Sequence, residues 1–511
     1  MAHQPSAIAA SAISGIQWNY IGSISASVCA IAIGIVLARI LGPRPFGQVI
    51  IASTIYGFLN LFVDGGFSQA LIQKPTLDLD DTRKAFTCQA GIGMCTAGAV
   101  YLSAPWFARQ FRDPSAVHVI EAMSLVIAIQ STGLVSAALL RREMRFRVVQ
   151  CAALSSYLFG YLVVGVPLAI HGAGVWSLVL AYLSQCIVNS LVLNLAARHS
   201  MAPLFAIPDR SMTIFGGTII ANNVVNWGHA NLDNMAASRL GPAALGLYGR
   251  GCNFAYQPAN VVVNGLQSVL FSSTAKAQEN RRLMRDLTLA VIAIVFGVLG
   301  AAYATFAMIP DTTIVGLYGD KWTGVIPLMT PLAIAMPFYA VHCLLGPILC
   351  GLGRPEREFW PQAITCAIAA VAYFTAVRFS LLGLAWTLLL IMLLRFGMVA
   401  AFTFHLLEIS WTKAILLLIR QAGVSVTFGA VVWCADQLLR PLHLSCTLRL
   451  SMLLVLCFSL LGACIWFFGN IVFGRHAVRF MLAYAAHIPA LYVKQLRIQA
   501  GTGESATFVH Q

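Results

Sequence analysis

Charge is scarce in this 511-residue chain. Lys, Arg, Asp and Glu together make up 10% of it, only 18 residues are acidic, and apolar types reach 59% at a mean hydropathy of +0.80. Soluble proteins average about 25% charged and about 45–50% apolar residues, so a soluble globular fold is excluded. The chain also lacks the GxxxxGK[ST] loop that cradles nucleotide phosphates, as well as GxSxG and HExxH. ATP hydrolysis by that loop is therefore not expected. The segments between apolar runs are short and leave no soluble domain for a conventional active site, so the chain is read as a non-enzyme without a cofactor. Its 13 cysteines are odd in number, lie mostly inside apolar runs, and form neither a CxxC pair nor a Cys/His cluster. Small apolar filler is their expected role, with no metal site. The segment before the first run has no Lys or Arg, the run lacks the small-residue cleavage site of a signal peptide, and no lipidation box is present. That run is expected to stay as a membrane span.

What the chain does have is long apolar runs. Fourteen are near or above the roughly 20 residues that cross a bilayer core. They lie near 16–38, 47–72, 86–108, 116–140, 150–171, 173–196, 213–236, 245–274, 287–309, 323–351, 361–378, 381–407, 414–438 and 449–473. At hydrocarbon depth a backbone must satisfy its own N–H and C=O groups, so each run is predicted to be a helix. A β-barrel would instead show short alternating segments. The expected class is an all-α polytopic membrane protein. The net charge of +14 does not point to nucleic acid, because the basic residues sit between the runs. Twenty of the 32 Lys and Arg fall on the side of the N-terminus, nine on the other, and Arg250, Arg395 and Arg420 inside runs. That bias places both termini in the cytoplasm and favours an even number of spans.

A turn motif occurs twice. Ala38 Arg39 Ile40 Leu41 Gly42 Pro43, continuing to Phe46 Gly47, follows span 1; Ala237 Ser238 Arg239 Leu240 Gly241 Pro242, continuing to Leu245 Gly246, follows span 7. The offset is 199 for the leucines, both glycines and the prolines. Arg142 and Arg145 after span 4 recur as Arg354 and Arg357 after span 10 at an offset of 212. About a dozen residues are thus inserted in the second copy, and the stretch from Pro310 and Asp311 to Lys321 is the expected place. An even-sized repeat gives both copies one orientation, related by an axis along the membrane normal. The reading is an N-lobe of spans 1–6 over residues 1–197, a connector at 198–212, a C-lobe of spans 7–12 over 213–410, spans 13 and 14 over 411–474, and a cytoplasmic tail from 475 to 511. Because the repeat supplies both sides of a path, a monomer is expected.

Span 7 is the most polar. Asn222, Asn226, His229 and Asp233 are spaced 4, 3 and 4 and share one helical face, with Asn223, Trp227 and Asn234 on the neighbouring stripe. Such a face either bonds to other helices, typically for under about 2 kcal/mol per contact, or lines a water-filled cavity. Span 1, its repeat partner, carries Gln17, Asn19, Ser23 and Ser27, the last three spaced by four. A cavity between two bundles needs two such helices. Arg39 and Arg239 end them at matching positions, either snorkelling to the interface or contacting an anion. Asp64, Glu121, Arg250 and Arg395 are further charges at membrane depth, where each costs at least about 2.5–3.5 kcal/mol and so pairs or lines a pathway. The substrate-cavity candidates are Asn19, Arg39, Asn222, Asn226, His229, Asp233, Arg239 and Arg250. Asp64 and Asp233 are the candidates for ion coupling, with local backbone bonding the alternative for Asp64. His342 is read as a packing residue.

These motifs resemble the polysaccharide transporter family of the multidrug/oligosaccharidyl-lipid/polysaccharide exporter superfamily. The resemblance rests on Leu41 Gly42 Pro43 with Phe46 Gly47, on Asp64 Gly65 Gly66 Phe67 through Ile72, on Leu140 Arg141 Arg142 Glu143 Met144 Arg145 Phe146, and on Leu232 Asp233 Asn234 through Gly241 Pro242 to Tyr248. It spans roughly residues 10 to 410. It implies two six-helix lobes rocking around a central cavity, and a flippase that moves undecaprenyl-diphosphate-linked oligosaccharide from the cytoplasmic to the periplasmic leaflet of the bacterial inner membrane. Exopolysaccharide, capsule or O-antigen synthesis would be the destination, with a polymerase and a chain-length regulator as partners. A cation-coupled drug antiporter of the same superfamily and a polysaccharide polymerase or ligase are the alternatives.

Overall fold

The computed structural model describes residues 22, 25–64, 71, 72, 74, 77–200, 202–204, 210–277, 280–352, 356–442 and 444–472. Among these residues the regular structure is helical throughout, without a strand. The helices are α1 (Ser25–Ile40), α2 (Pro43–Asp64), α3 (Leu79–Gln110), α4 (Val117–Arg142), α5 (Phe146–Ile170), α6 (Val175–Ala197), α7 (Arg210–Ala237) and α8 (Pro242–Ala277). They continue as α9 (Arg281–Met308), α10 (Pro310–Tyr318), α11 (Ile326–Gly351), α12 (Glu356–Ala376), α13 (Leu381–Leu407), α14 (Trp411–Leu439) and α15 (Cys446–Val472). Eleven spans among the described residues are long and apolar enough to cross a membrane. α1, α7 and α8 lie where the sequence predicts the other three spans but do not meet that measure among the described residues, so the count of fourteen is not confirmed. α7 and α8 are also the helices with the most amide side chains at membrane depth. The tail from 475 onward, the first span up to residue 21 and parts of the connector lie outside the described residues.

Apolar packing ties the helices into one body. α3 packs on α4 and α4 on α6, while α11 packs on α8, α9 and α13 and α14 packs on α9. α2 bridges to α7 and α8. A single core runs from Ile51, Ile120 and Val126 to Val295, Leu344 and Leu388. Lipid tails are as apolar as these side chains, so close van der Waals contact, not the hydrophobic effect, holds such helices together.

The repeated turns explain how the centre is arranged. Pro43 and Pro242 are the first residues of α2 and α8, where proline's missing N–H costs nothing and its fixed φ suits the helix. Gly241 has φ +95°, a conformation that requires glycine, whereas Gly42 does not adopt one. The other glycine of each motif serves contact. A Cβ on Gly47 would collide with the Pro242 carbonyl oxygen, and a Cβ on Gly246 with the Pro43 carbonyl oxygen. Each would also lie 3.1 Å from the backbone nitrogen of the other glycine. The two copies of the motif therefore touch each other, backbone to backbone, at what is called here the Gly-Pro end.

Candidate substrate cavity

Below that contact lies a cavity of about 640 Å³. α2 contributes Phe46, Ile50, Ser53 and Thr54; α7 contributes Asn226, His229, Asn231, Asp233 and Asn234; α8 contributes Arg250, Asn253, Tyr256, Gln257 and Asn260; α11 contributes Tyr339 and α13 contributes Arg395. The α7 face follows from the spacing of Asn226, His229 and Asp233. The α8 face follows the same rule, because Arg250, Asn253, Gln257 and Asn260 are spaced 3, 4 and 3 and so share one side of the helix. Six carboxamides thus converge on one chamber.

Two guanidinium groups face this chamber without a carboxylate partner. Arg395 is buried, and its Nε has no hydrogen-bond acceptor. Arg250 is half-buried and its Nε is likewise unpartnered. The Arg250 guanidinium carbon lies 4.6 Å from the Tyr318 ring centre and 5.3 Å from that of Phe46, so its contacts are cation–π. Neither arginine forms an ion pair among the described residues. α1 approaches Arg250 so closely that a Cβ on Gly34 would sit 2.9 Å from its Nη2.

Asp233 is the acidic residue of the lining. It is buried, and its Oδ1 accepts the Asn234 N–H at 2.8 Å while Oδ2 accepts the Tyr248 hydroxyl at 3.1 Å. Neutral donors hold this carboxylate, which leaves the two arginine charges uncancelled by direct contact. His229 Nε2 lies 2.9 Å from the Gln362 carbonyl oxygen and 3.4 Å from Thr365 Oγ1, which joins α7 to α12. Trp227 packs on Phe58 of α2 at 4.8 Å between ring centres.

The structure thus brings together Asn226, His229, Asp233 and Arg250. Asn19 and the side chain of Asn222 lie outside the described residues. Arg39 and Arg239 do not line the cavity. Arg39 donates from Nε to the Leu317 carbonyl at 2.8 Å, from Nη2 to the Gly316 carbonyl, and from Nη2 to Thr447 Oγ1 at 3.1 Å. The two carbonyls sit at the far end of α10 and Thr447 at the start of α15, and together they draw the side chain away from the chamber. Arg239 is exposed, with its guanidinium carbon 4.7 Å from the Phe374 ring centre. Asp64 lies at the end of α2 away from the chamber, where Gln89 Nε2 approaches its Oδ1 at 3.5 Å. His342 is buried with an unpartnered Nδ1. Residues not singled out as cavity-lining from sequence are Arg395, Tyr256, Tyr339 and the α8 amides; the last were readable from their spacing.

Paired N–H donors of a guanidinium match phosphate oxygens, and amides with aromatic faces match sugar hydroxyls and rings. The arrangement is suited to a ligand that is anionic in part and hydroxylated in part.

A family described as polysaccharide biosynthesis protein matches residues 36–327. The succinoglycan biosynthesis transport protein ExoT of Rhizobium meliloti (strain 1021) is 27% identical over 347 residues, which is 66% of this chain and 69% of ExoT. The lipopolysaccharide biosynthesis protein WzxC of Escherichia coli (strain K12) is 24% identical over 360 residues, 68% of this chain and 71% of WzxC. Among solved structures, the lipid II flippase MurJ in an inward closed conformation superposes with a TM-score of 0.71 at 11% identity, covering 89% of this chain and 100% of MurJ. That last likeness concerns the fold alone.

Proposed function

The chain belongs to the polysaccharide biosynthesis protein family, and from that premise we propose that it is a flippase for undecaprenyl-diphosphate-linked oligosaccharide repeat units. The observation that carries the reading is the pair of guanidinium groups without a carboxylate partner, Arg250 and Arg395, facing a cavity of about 640 Å³ to which six carboxamides also contribute. A charge buried at membrane depth costs at least about 2.5–3.5 kcal/mol unless something compensates it, and a bound anion would supply that compensation. The diphosphate binds the arginines, the sugars meet the amides of α7 and α8, and the polyprenyl chain stays in lipid.

Two lobes alternate access to the chamber. With the arginine-rich segments 141–147 and 281–285 in the cytoplasm, the Gly-Pro end faces the periplasm, and there the backbone contact of the two turns supports closure. Negative charge moved outward from a negative interior gains about 2.3 kcal/mol per charge per 100 mV, so the membrane potential favours export of the headgroup. The lobe boundaries near residues 197 and 213, the inner-membrane location and a monomeric state belong to the same proposal, with the polymerase and chain-length regulator as partners downstream.

The relatives are named for transport and biosynthesis of polysaccharides, and the neighbour of known structure for lipid flipping. A cavity holding two arginines against one neutrally bonded carboxylate supports an anionic cargo over the cationic drugs of an antiporter. The test is genetic. Arg250→Ala and Asp233→Ala each abolish surface polysaccharide while protein level is preserved, and deletion accumulates single repeat units facing the cytoplasm. Repeat units facing the periplasm would assign the chain to polymerisation, and normal export in both variants would remove these residues from the site.

A further inference from the structure

The connection between α3 and α4 is residues 111–116, whereas its counterpart between α9 and α11 is residues 309–325. We propose that this longer segment is a latch that holds the Gly-Pro end shut and is released when an anionic group draws Arg250 into the cavity. The proposal rests on the alternating-access reading above.

The bonds are reciprocal between the two halves of the chain. α1 ends at Ile40, and the last carbonyls of a helix have no partner within it. The latch supplies donors to two of them. Trp322 Nε1 donates to the Ala38 carbonyl at 2.8 Å, and Lys321 Nζ donates to the Ile40 carbonyl at 2.8 Å. In return Arg39 of α1 donates to the Gly316 and Leu317 carbonyls in the last turn of α10. Trp322 is fully buried, with Ala38 and Tyr318 in the same small core and Phe46 edge-on at 5.4 Å. None of these bonds survives separation of α1 from the segment 309–325.

The far side of the latch is anchored. Asp436 of α14, fully buried, pairs with Arg449 Nε at 3.0 Å and Arg440 Nε at 3.1 Å and accepts from Thr312 Oγ1 of α10 at 2.9 Å. α14 and α15, which have no counterpart in the repeat, thereby fix α10 in place. The near side reaches the cavity. The Arg250 guanidinium stacks on Phe46 and Tyr318, and these rings lie 5.4 and 5.9 Å from Trp322. A phosphate that pulls Arg250 inward removes the cation that both rings embrace, and so loosens the packing around Trp322.

The test uses the full-length chain with its cysteines replaced, once export by that parent is confirmed, and with Ser53→Cys as a reporter in the cavity wall. A membrane-impermeant maleimide is applied from the Gly-Pro side. Trp322→Phe, which keeps an aromatic ring but removes the N–H with the pyrrole part of the indole, and Lys321→Met are each expected to raise the labelling rate at least about tenfold, as loss of one hydrogen bond allows. Asp436→Asn is expected to raise it in the same direction. Undecaprenyl diphosphate accelerates labelling of the parent and not of Arg250→Met. An Ile40→Cys/Lys321→Cys pair, in the parent without the reporter, bridged by a flexible bismaleimide blocks export. Equal labelling rates with and without the latch bonds, or export through the bridged pair, would overturn the latch while leaving the flippase reading intact. A reporter reached from neither side in any variant would sink the flippase reading itself.

Discussion

Replacing Gly47 with alanine puts the sharpest pressure on this account. The new methyl would fall on the Pro242 carbonyl oxygen, a backbone atom that cannot rotate aside, so α2 and α8 must move apart. Overpacking of a tight contact costs about 1–3 kcal/mol, which at about 1.4 kcal/mol per factor of ten shifts the closed-to-open ratio of the Gly-Pro end about 5- to 150-fold toward open. Gly246→Ala strikes the same crossing from the other side, against the Pro43 carbonyl. Once the helices part, one clash relieves the other, so the double variant falls short of the sum. Gly42→Ala is the control. Nothing lies within 4 Å of a Cβ there and the backbone is not left-handed, so it leaves the crossing unchanged. Pulsed electron paramagnetic resonance between spin labels at the exposed positions Arg44 and Ala243 reads the separation directly. A longer-distance population in Gly47→Ala and Gly246→Ala, absent from Gly42→Ala, is expected. Identical distributions in all three would refute the claim that this crossing closes the end.

Arg395→Met keeps an unbranched, flexible stem while removing the charge; it eliminates polysaccharide export at unchanged protein abundance, as immunoblotting against whole-cell polysaccharide staining would show. Asn253→Ala and Gln257→Ala, on the α8 face of the cavity, lower export several-fold in the same assay without changing detergent stability, since each sits on a polar wall and not in the core. Asp436→Ala strands Arg449 beside a buried void, and removing one partner of a buried pair costs about 3–5 kcal/mol, so the melting temperature in detergent drops clearly, and more than for Asp436→Asn.

The sequence made some of this legible for physical reasons that can be named. Helical periodicity places Asn226, His229 and Asp233 on one face whatever the tertiary fold, and the cavity lies on that face. The same arithmetic applies to Arg250, Asn253, Gln257 and Asn260, but there the amides are diluted by Ala, Val and Gly and the stripe is easily passed over. Arg395 is different in kind: its depth in a leucine-rich run is plain, whereas the direction it faces depends on how α13 meets α11 and α12. Arg39 shows the limit most clearly, because a helix-end arginine reads equally as an anion contact or an interfacial anchor until its acceptor, a carbonyl 278 residues away, is known. The fixed offset of 199 equated Gly47 with Gly246, yet only three-dimensional packing reveals that the equated residues meet each other.

The central claim is that a cavity with two unpaired arginines carries an anionic lipid headgroup across the bilayer. Purified protein in liposomes containing undecaprenyl-diphosphate-linked oligosaccharide, with an impermeant glycosidase outside, tests it most directly. The account predicts that the cleavable fraction rises to include lipid from the inner leaflet with the unmodified protein and stays at the outer-leaflet share with Arg250→Ala/Arg395→Ala. A cleavable fraction no greater than in protein-free liposomes, or equal rates in the double variant, would contradict it.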